Sequence, residues 1–254
     1  FLPAPGQFVN QLSYSEPNKT LISDPSMVTL GSYGGSITYY FEKGIEDDPN
    51  NPYGIDFIVN GNAFTNSDGS NASGSSEPAA VMVSENGTVW YELAGSMYYD
   101  ALTRHNVSIT YTNPDTAFKG AADVPWEDSE GNTGAVYKNS VHSQPYYPNP
   151  DIYGAFNTGV TANGSYTSET MTVSGGSLFN KKYSPRYGYG DVHSQNVSAG
   201  NTAANPYAKD HNRFFNGDGM DIAWAVNESG VPVDLSGKQI HYIRVYNPTM
   251  YDGG

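Results

Sequence analysis

Residues 75–99, SSEPAAVMVSENGTVWYELAGSMYY, constrain the fold of this chain more than any other stretch. Two short apolar runs, Ala79–Ser84 and Thr88–Leu93, flank Glu85-Asn86-Gly87. Apolar runs of strand length joined by a residue free to take positive φ make a β-hairpin. Trp90 and Leu93 fall on opposite faces of the second run, so the hairpin is expected to be central, with partners on both sides.

Other segments repeat the pattern. Met27–Phe41 reads as a strand, a Gly-rich turn at 31–35 and an alternating strand in which Ile37, Tyr39 and Phe41 share a face. Gly54–Phe64 places Ile55, Phe57 and Val59 on one side, and Val107–Thr112 alternates cleanly. Asp221–Leu235 is a second hairpin turning at Asn227–Gly230, and Gln239–Tyr246 is the last strand. Residues 113–153 offer only short pieces. Lys181–Ala208 is a long loop rich in Tyr, Gly and Asn, and loops of that length in a compact domain are usually functional or bound. No amphipathic helical stretch and no break in composition intervenes. The fold class is therefore all-β, an antiparallel β-sandwich of jelly-roll type with long Gly/Asn/Tyr-rich loops. Residues 1–15 form a Pro-interrupted extended arm, and 16–254 a single sandwich domain. The 28 Gly and 16 Pro suit many short strands, while 21 Tyr and 10 Phe supply the core surface that 37% hydrophobic content understates.

With 26 acidic against 12 basic side chains the formal charge is −14, which repels phosphate backbones and anionic membranes and argues against nucleic acid as a partner. No apolar run approaches the ~18 residues of a membrane-spanning helix, so membrane insertion is not expected. Cysteine is absent, which excludes disulfides, zinc-thiolate sites, iron–sulfur clusters and thiol catalysis. A start at Phe1 suits an exported product whose signal has been removed, and the composition is that of an extracellular protein. Sequons at Asn18, Asn71, Asn86, Asn106, Asn163, Asn196 and Asn227 are a small excess over chance in so Asn-, Ser- and Thr-rich a chain, and leave glycosylation open.

The familiar catalytic signatures G-x-S-x-G, H-E-x-x-H and Walker A are missing, and the five histidines lack metal-ligand spacing; His142 and His193, in loops beside polar groups, are the better of a weak set. Acidic composition raises Ca²⁺ as a cofactor. Asn66–Glu77 partly matches an EF-hand loop but has Asn71 where the turn glycine belongs. That leaves an oxygen-ligand site drawn from Asn60, Asn62, Asp68 and Glu77, and a second oxygen-rich turn carrying Asp218 and Asp221. The simpler reading of that turn is carboxylates capping backbone N–H groups. Glu77, Glu92, Asp218 and Asp221 are also the acids available to a glycosidase pair. Aromatic loops are more suggestive: Tyr146-Tyr147, and Tyr183, Arg186, Tyr187 and Tyr189, set flat rings beside polar groups, as sugar platforms and protein interfaces do. Half-buried sandwich tyrosines are the plainer alternative.

The segments TLGSYGGSIT (29–38), GIDFIVNGNAF (54–64), SSEPAAVMVS (75–84), WYELAGSMYY (90–99), VPW (124–126), HSQPYYP (142–148), DGMDIAWAVNESGVPVDL (218–235) and IRVY (243–246) together resemble exported bacterial cell-surface proteins. The resemblance covers roughly residues 6–254. It implies a secreted β-sandwich-type domain with no established enzymatic role, and nutrient capture, including corrinoid or glycan uptake, for some relatives. It also implies that the chain continues beyond Gly254.

The functional expectation is a secreted, non-catalytic structural or adhesive protein that self-assembles into a filament or surface layer through its N-terminal arm, with other copies of itself or cell-surface components as partners. The alternative is extracellular capture of a glycan or corrinoid through aromatic loops. A carbohydrate-active enzyme comes third.

Overall fold

A computed structural model describes residues 30–31, 33–61, 64–65, 74–75, 78–101, 103–114, 122–137, 160–167, 187–191 and 217–249. The N-terminal arm lies outside the described residues, as does most of the 181–208 loop. The expected class holds: the fold is all-β and sandwich-like, built of antiparallel sheets, with no α-helix among the described residues. No helix there is long and apolar enough to cross a membrane.

The strands are β1 (Ser36–Ile45), β2 (Phe57–Val59), β3 (Phe64–Thr65), β4 (Gly74–Ser75), β5 (Ala79–Ser84), β6 (Tyr91–Leu93), β7 (Thr103–Tyr111), β8 (Val124–Asp128), β9 (Thr133–Val136), β10 (Val160–Thr167), β11 (Tyr189–Gly190), β12 (Asp218–Met220), β13 (Ala225–Val226) and β14 (Ile240–Tyr246). They form a six-stranded sheet in the order β1-β14-β5-β6-β13, with β11 also paired to β5. A four-stranded sheet runs β10-β7-β8-β9, and two pairs, β12-β2 and β3-β4, complete the set. The chain divides into two compact units: Phe1–Ile37, Arg104–Ser168 and Tyr246–Gly254 form one, Thr38–Thr103 and Glu169–Val245 the other.

In the first unit Tyr33 and Tyr111 are fully buried and satisfy each other's neighbourhood. The Tyr33 hydroxyl donates to the Val107 carbonyl at 2.7 Å and the Tyr111 hydroxyl to the Tyr33 carbonyl at 3.0 Å. A buried phenol without such a partner would be destabilising by ~1–3 kcal/mol. The β8–β9 turn is closed by Asp128, whose Oδ1 accepts from the backbone N–H of Glu130 and Asn132 and whose Oδ2 accepts from the Asn132 side chain. Burial of Asp128 alone would raise its pKa. The bonds from Asn132 and Glu130, with Arg104 3.6 Å away, outweigh that and hold the carboxyl below its ordinary value. His105 Nδ1 lies 2.8 Å from Ser165 Oγ, but Ser165 is buried and has no room to meet a substrate.

The second unit is organised on β5. Five of its six residues are buried, as a central strand requires, and it pairs with β6 at Met82 and Val83 and with β11 at Ala79 and Ala80. The turn between β5 and β6 is tied by Asn86, whose Oδ1 accepts from the N–H groups of Thr88 and Val89, with Gly87 at φ 75°. The second expected hairpin is reduced. Its turn forms at Asn227, whose Oδ1 accepts from Ser229 and Val231, but β13 spans only two residues, and beyond the turn Pro232 makes an isolated bridge. Proline has no N–H with which to extend a ladder. Residues 218–220, expected as a turn, are instead a strand paired with 57–59.

Gly95 and Gly188 let two backbones meet. A Cβ on Gly95 would stand 2.4 Å from the Tyr187 carbonyl oxygen and 2.5 Å from the Gly188 Cα. Both obstacles are main chain and cannot rotate aside. Gly95→Ala is expected to destabilise the protein by roughly 1–3 kcal/mol, read as a lower urea midpoint at unchanged slope. An unaltered midpoint would refute this packing.

Candidate functional site

Two constellations in the second unit carry chemistry. The first joins Asp47, just after β1, Asp56, before β2, and Asp221, after β12. One carboxylate oxygen from each lies within 4.8 Å of the others, and all three residues are half-buried. Asp56 is the organiser: Oδ1 accepts from the Asp48 N–H at 2.9 Å and the Asn51 side chain at 3.2 Å, while Oδ2 accepts from the Ile222 N–H at 2.9 Å. Asp221 caps the 3-10 turn Ile222–Trp224 by accepting from the Ala223 N–H. Burial, opposed by the Ala223 bond but reinforced by the charges of Asp56 and Asp47, pushes Asp221 up to about 6. Asp47 is raised too, by burial and then by Asp56, Asp234 and Asp48. Three hard oxygen ligands at this spacing are the donor type that Ca²⁺ takes.

The second constellation is an aromatic row on β1, β14 and Trp90, the residue before β6. The Tyr40 ring lies 6.1 Å from His241, with planes 25° apart, and 5.1 Å from Tyr242 at 47°. Tyr242 in turn meets Trp90 at 6.4 Å and 68°. Arg244 ends the row, its guanidinium carbon 3.9 Å from the centre of the Trp90 ring. Strand alternation explains the placement: Thr38 and Tyr40 on β1 are exposed while Ile37, Tyr39 and Phe41 are half-buried, and Ile243 and Val245 on β14 are buried while Tyr242 and Arg244 are not. Local contacts hold the rings in place. The Trp90 indole N–H donates to the Gly87 carbonyl at 3.1 Å, and a Cβ on Gly87 would stand 3.3 Å from the Tyr242 ring. His241 Nδ1 lies 2.8 Å from the Phe41 carbonyl, and Arg244 Nε donates to Thr38 Oγ1 at 3.1 Å. Among the described residues the hydroxyls of Tyr40 and Tyr242, His241 Nε2 and the two terminal nitrogens of Arg244 have no protein partner. Tyr40 is 58% exposed.

The described residues among those singled out from sequence lie on several elements. Tyr189 is fully buried in β11, with its hydroxyl donating to Glu92 at 3.3 Å, which leaves its ring no face for a ligand. Tyr187 is half-buried and packs on Trp224, ring centres 5.3 Å apart. Tyr146, Tyr147, Tyr183 and Arg186 lie outside the described residues. So do Asn62, Asp68 and Glu77 among the expected metal ligands, and His142 and His193. Asp218 is buried in β12, and Asn60 is exposed after β2; a Cβ on neighbouring Gly217 would stand 2.3 Å from Asn60 Oδ1. Asp221 alone of the expected ligands joins the carboxylate trio, in the company of Asp47 and Asp56. Of the acids considered for glycoside chemistry, Glu92 and Asp218 are both buried. Asn86 and Asn106 are exposed, Asn227 is half-buried in its turn and Asn163 sits on β10; Asn18, Asn71 and Asn196 lie outside the described residues.

No family model matches the chain, and no curated protein matches it either.

The trio has a signature in pH. A carboxyl raised in the folded state contributes stability that is complete below its unfolded pKa of 3.8 and is lost as pH climbs through about 6. Asparagine keeps the cap on Ala223 and cannot ionise. In chelator, Asp221→Asn should therefore be more stable than the parent at pH 7.5 by about 1 kcal/mol, after discounting for partial exposure, and the gain should vanish near pH 4. Melting curves at the two pH values check this; an equal gain at both would remove the electrostatic explanation.

Proposed function

We infer that this chain is a non-catalytic extracellular surface protein that captures glycan on the Tyr40–Tyr242–Trp90–Arg244 face. The observation that supports the reading is a row of held aromatic rings bordered by hydrogen-bonding groups that no described residue uses. A pyranose presents an apolar C–H face and a rim of hydroxyls. Ring faces cover the first, and the Tyr40, Tyr242, His241 and Arg244 polar ends meet the second. Successive rings tilt against one another, which suits the turning sugars of a linear glycan better than one flat, rigid corrin macrocycle. Pre-formed rings also lower the ordering cost of binding.

Affinity electrophoresis and calorimetry with oligosaccharides test it. Tyr242→Ala and Trp90→Ala should each weaken binding about tenfold, the loss of ~1.4 kcal/mol of stacking and burial. Undiminished binding in both variants would sink the assignment. Deleting residues 1–12 should leave glycan binding intact. If it instead abolishes both binding and any assembly seen by gel filtration, the arm-mediated reading takes precedence.

A second reading is supported by the carboxylate trio: Ca²⁺ bound by Asp47, Asp56 and Asp221, joining the loop after β1 to the turn after β12. Saturating Ca²⁺ should raise the melting temperature, by the equivalent of ~2.7 kcal/mol at a hundredfold excess over Kd, and Asp47→Asn should remove the increment. Identical melting in Ca²⁺ and in chelator would dispose of the site.

A further inference from the structure

The glycan-capture reading leaves open which sugars are taken, and Arg244 bears on that question. It is half-buried and stacked on Trp90, and its one hydrogen bond runs from Nε to Thr38 Oγ1. No carboxylate pairs with it among the described residues. Of the other described Lys and Arg side chains, Arg104 pairs with Asp128 and Glu130 and Lys238 with Glu85, while Lys43, which pairs with no acid, is exposed to water as Arg244 is not. Removing a guanidinium partly from water without an anion is unfavourable, and burial draws its pKa down. Stability alone would favour a partner here.

The geometry fixes what remains of the side chain. With Nε committed to Thr38 and the guanidinium carbon 3.9 Å from the centre of the Trp90 ring, the two terminal nitrogens are left as a fork. Such a fork matches a planar carboxylate in bidentate fashion, and the match is better than lysine can offer. The fork stands at the Trp90 end of the row, and Trp90 in turn meets Tyr242. Its charge is opposite to that of a uronate and to the −14 of the chain, so it distinguishes an acidic sugar that the rest of the surface repels.

We propose that the row is selective for glycans bearing uronic acid, with Arg244, held over Trp90, pairing the sugar carboxylate while Tyr40 and Tyr242 stack on the sugar rings. The proposal rests on the row being a glycan platform. No covalent step is involved.

The test compares oligogalacturonate, a neutral xylo-oligosaccharide and a sulfated galactan, each titrated into the full chain. Oligogalacturonate should bind at least about tenfold more tightly than the neutral chain, with an advantage that shrinks as salt rises. Arg244→Gln should erase that advantage, weakening oligogalacturonate far more than the neutral chain. Arg244→Lys should recover only part of it, because a point charge lacks the fork. If neutral and acidic glycans bind equally, or the sulfated galactan binds best, selection for uronate is overturned while glycan capture stands. If no glycan binds, or the chain only self-associates, the platform itself is overturned. Should Arg244→Gln fail to fold, the wild-type salt series decides: a salt-independent preference for oligogalacturonate would overturn the ion pair.

Discussion

The second unit depends on the burial of β5. Ala79, Ala80, Val81 and Val83 are at most 8% exposed, and the strand carries partners along its length: β6 at Met82 and Val83, β11 at Ala79 and Ala80, and β14 as its neighbour in the sheet. A strand buried on both faces cannot slip by one residue without exchanging its two sets of side chains, so its register is strongly determined. Each buried valine contributes ~1.5–3 kcal/mol relative to exposure. The alanines matter for a different reason. They are small where the large Tyr189 arrives, whose ring fills the core and whose hydroxyl reaches Glu92. Both constellations hang from this arrangement: the aromatic row lies on the strand next to β5 and the one beyond it, and Asp221 leads into the turn before β13, which pairs with β6.

Much of that scaffold was legible in the sequence because it is written locally. The bounds of β5 follow from an unbroken apolar run, the turn after it from Asn86-Gly87, and β14 from its alternation. Tyr39 and Phe41 sit inward of Tyr40 as period two demands. Legibility failed where one residue type overrode the pattern. The run from Asp221 to Leu235 alternates well enough to read as a full hairpin, yet a capped 3-10 turn takes its first residues and Pro232 breaks the return strand. The glycines of 217–219 spoke for a turn, but they allow close approach: a Cβ on Gly217 would stand 2.4 Å from Ile58 Cγ2 and 2.8 Å from the Val59 carbonyl.

The sites were less legible for a physical reason. Aromatic residues picked out along the chain do not announce a platform: Tyr39 is half-buried beside exposed Tyr40, and Tyr189 is wholly buried. A platform on a sheet is assembled across strands, from Tyr40, Trp90 and Tyr242, and its members share no spacing along the chain. Carboxylates behave alike. Asp221 was visible as one acid in an Asp-Gly-rich run, whereas Asp47 lies in the polar stretch before residue 54 and Asp56 inside the run 54–64 read as a strand. The bonds from the Ile222 N–H to Asp56 and from the Asp56 N–H to the Met220 carbonyl, both between residues far apart in sequence, bring Asp56 and Asp221 together. The available signal was the cluster Glu46-Asp47-Asp48 followed by Asn50, Asn51 and Asp56, denser in oxygen ligands than a turn needs.

What joins the two constellations is unrelieved charge of opposite sign. Asp47 and Asp221 are pushed towards protonation by burial and by neighbouring carboxylates, Asp56 first among them, and Arg244 is partly desolvated without an acid. A chain selected for stability alone has an easy remedy for each: a lysine near the trio, or a glutamate beside the guanidinium, would turn repulsion or desolvation into attraction. Leaving both unanswered destabilises the fold, yet the surroundings are ordered with care, through the Asp56 clamp, the Ala223 cap and the Thr38 tether. Well-held charges that the protein does not itself neutralise are what external ions of opposite sign recognise, and the cost of keeping them falls when those ions arrive. Sheet geometry makes this workable, because rigid strands keep Arg244 and the carboxylates on separate elements and prevent them from collapsing into pairs of their own.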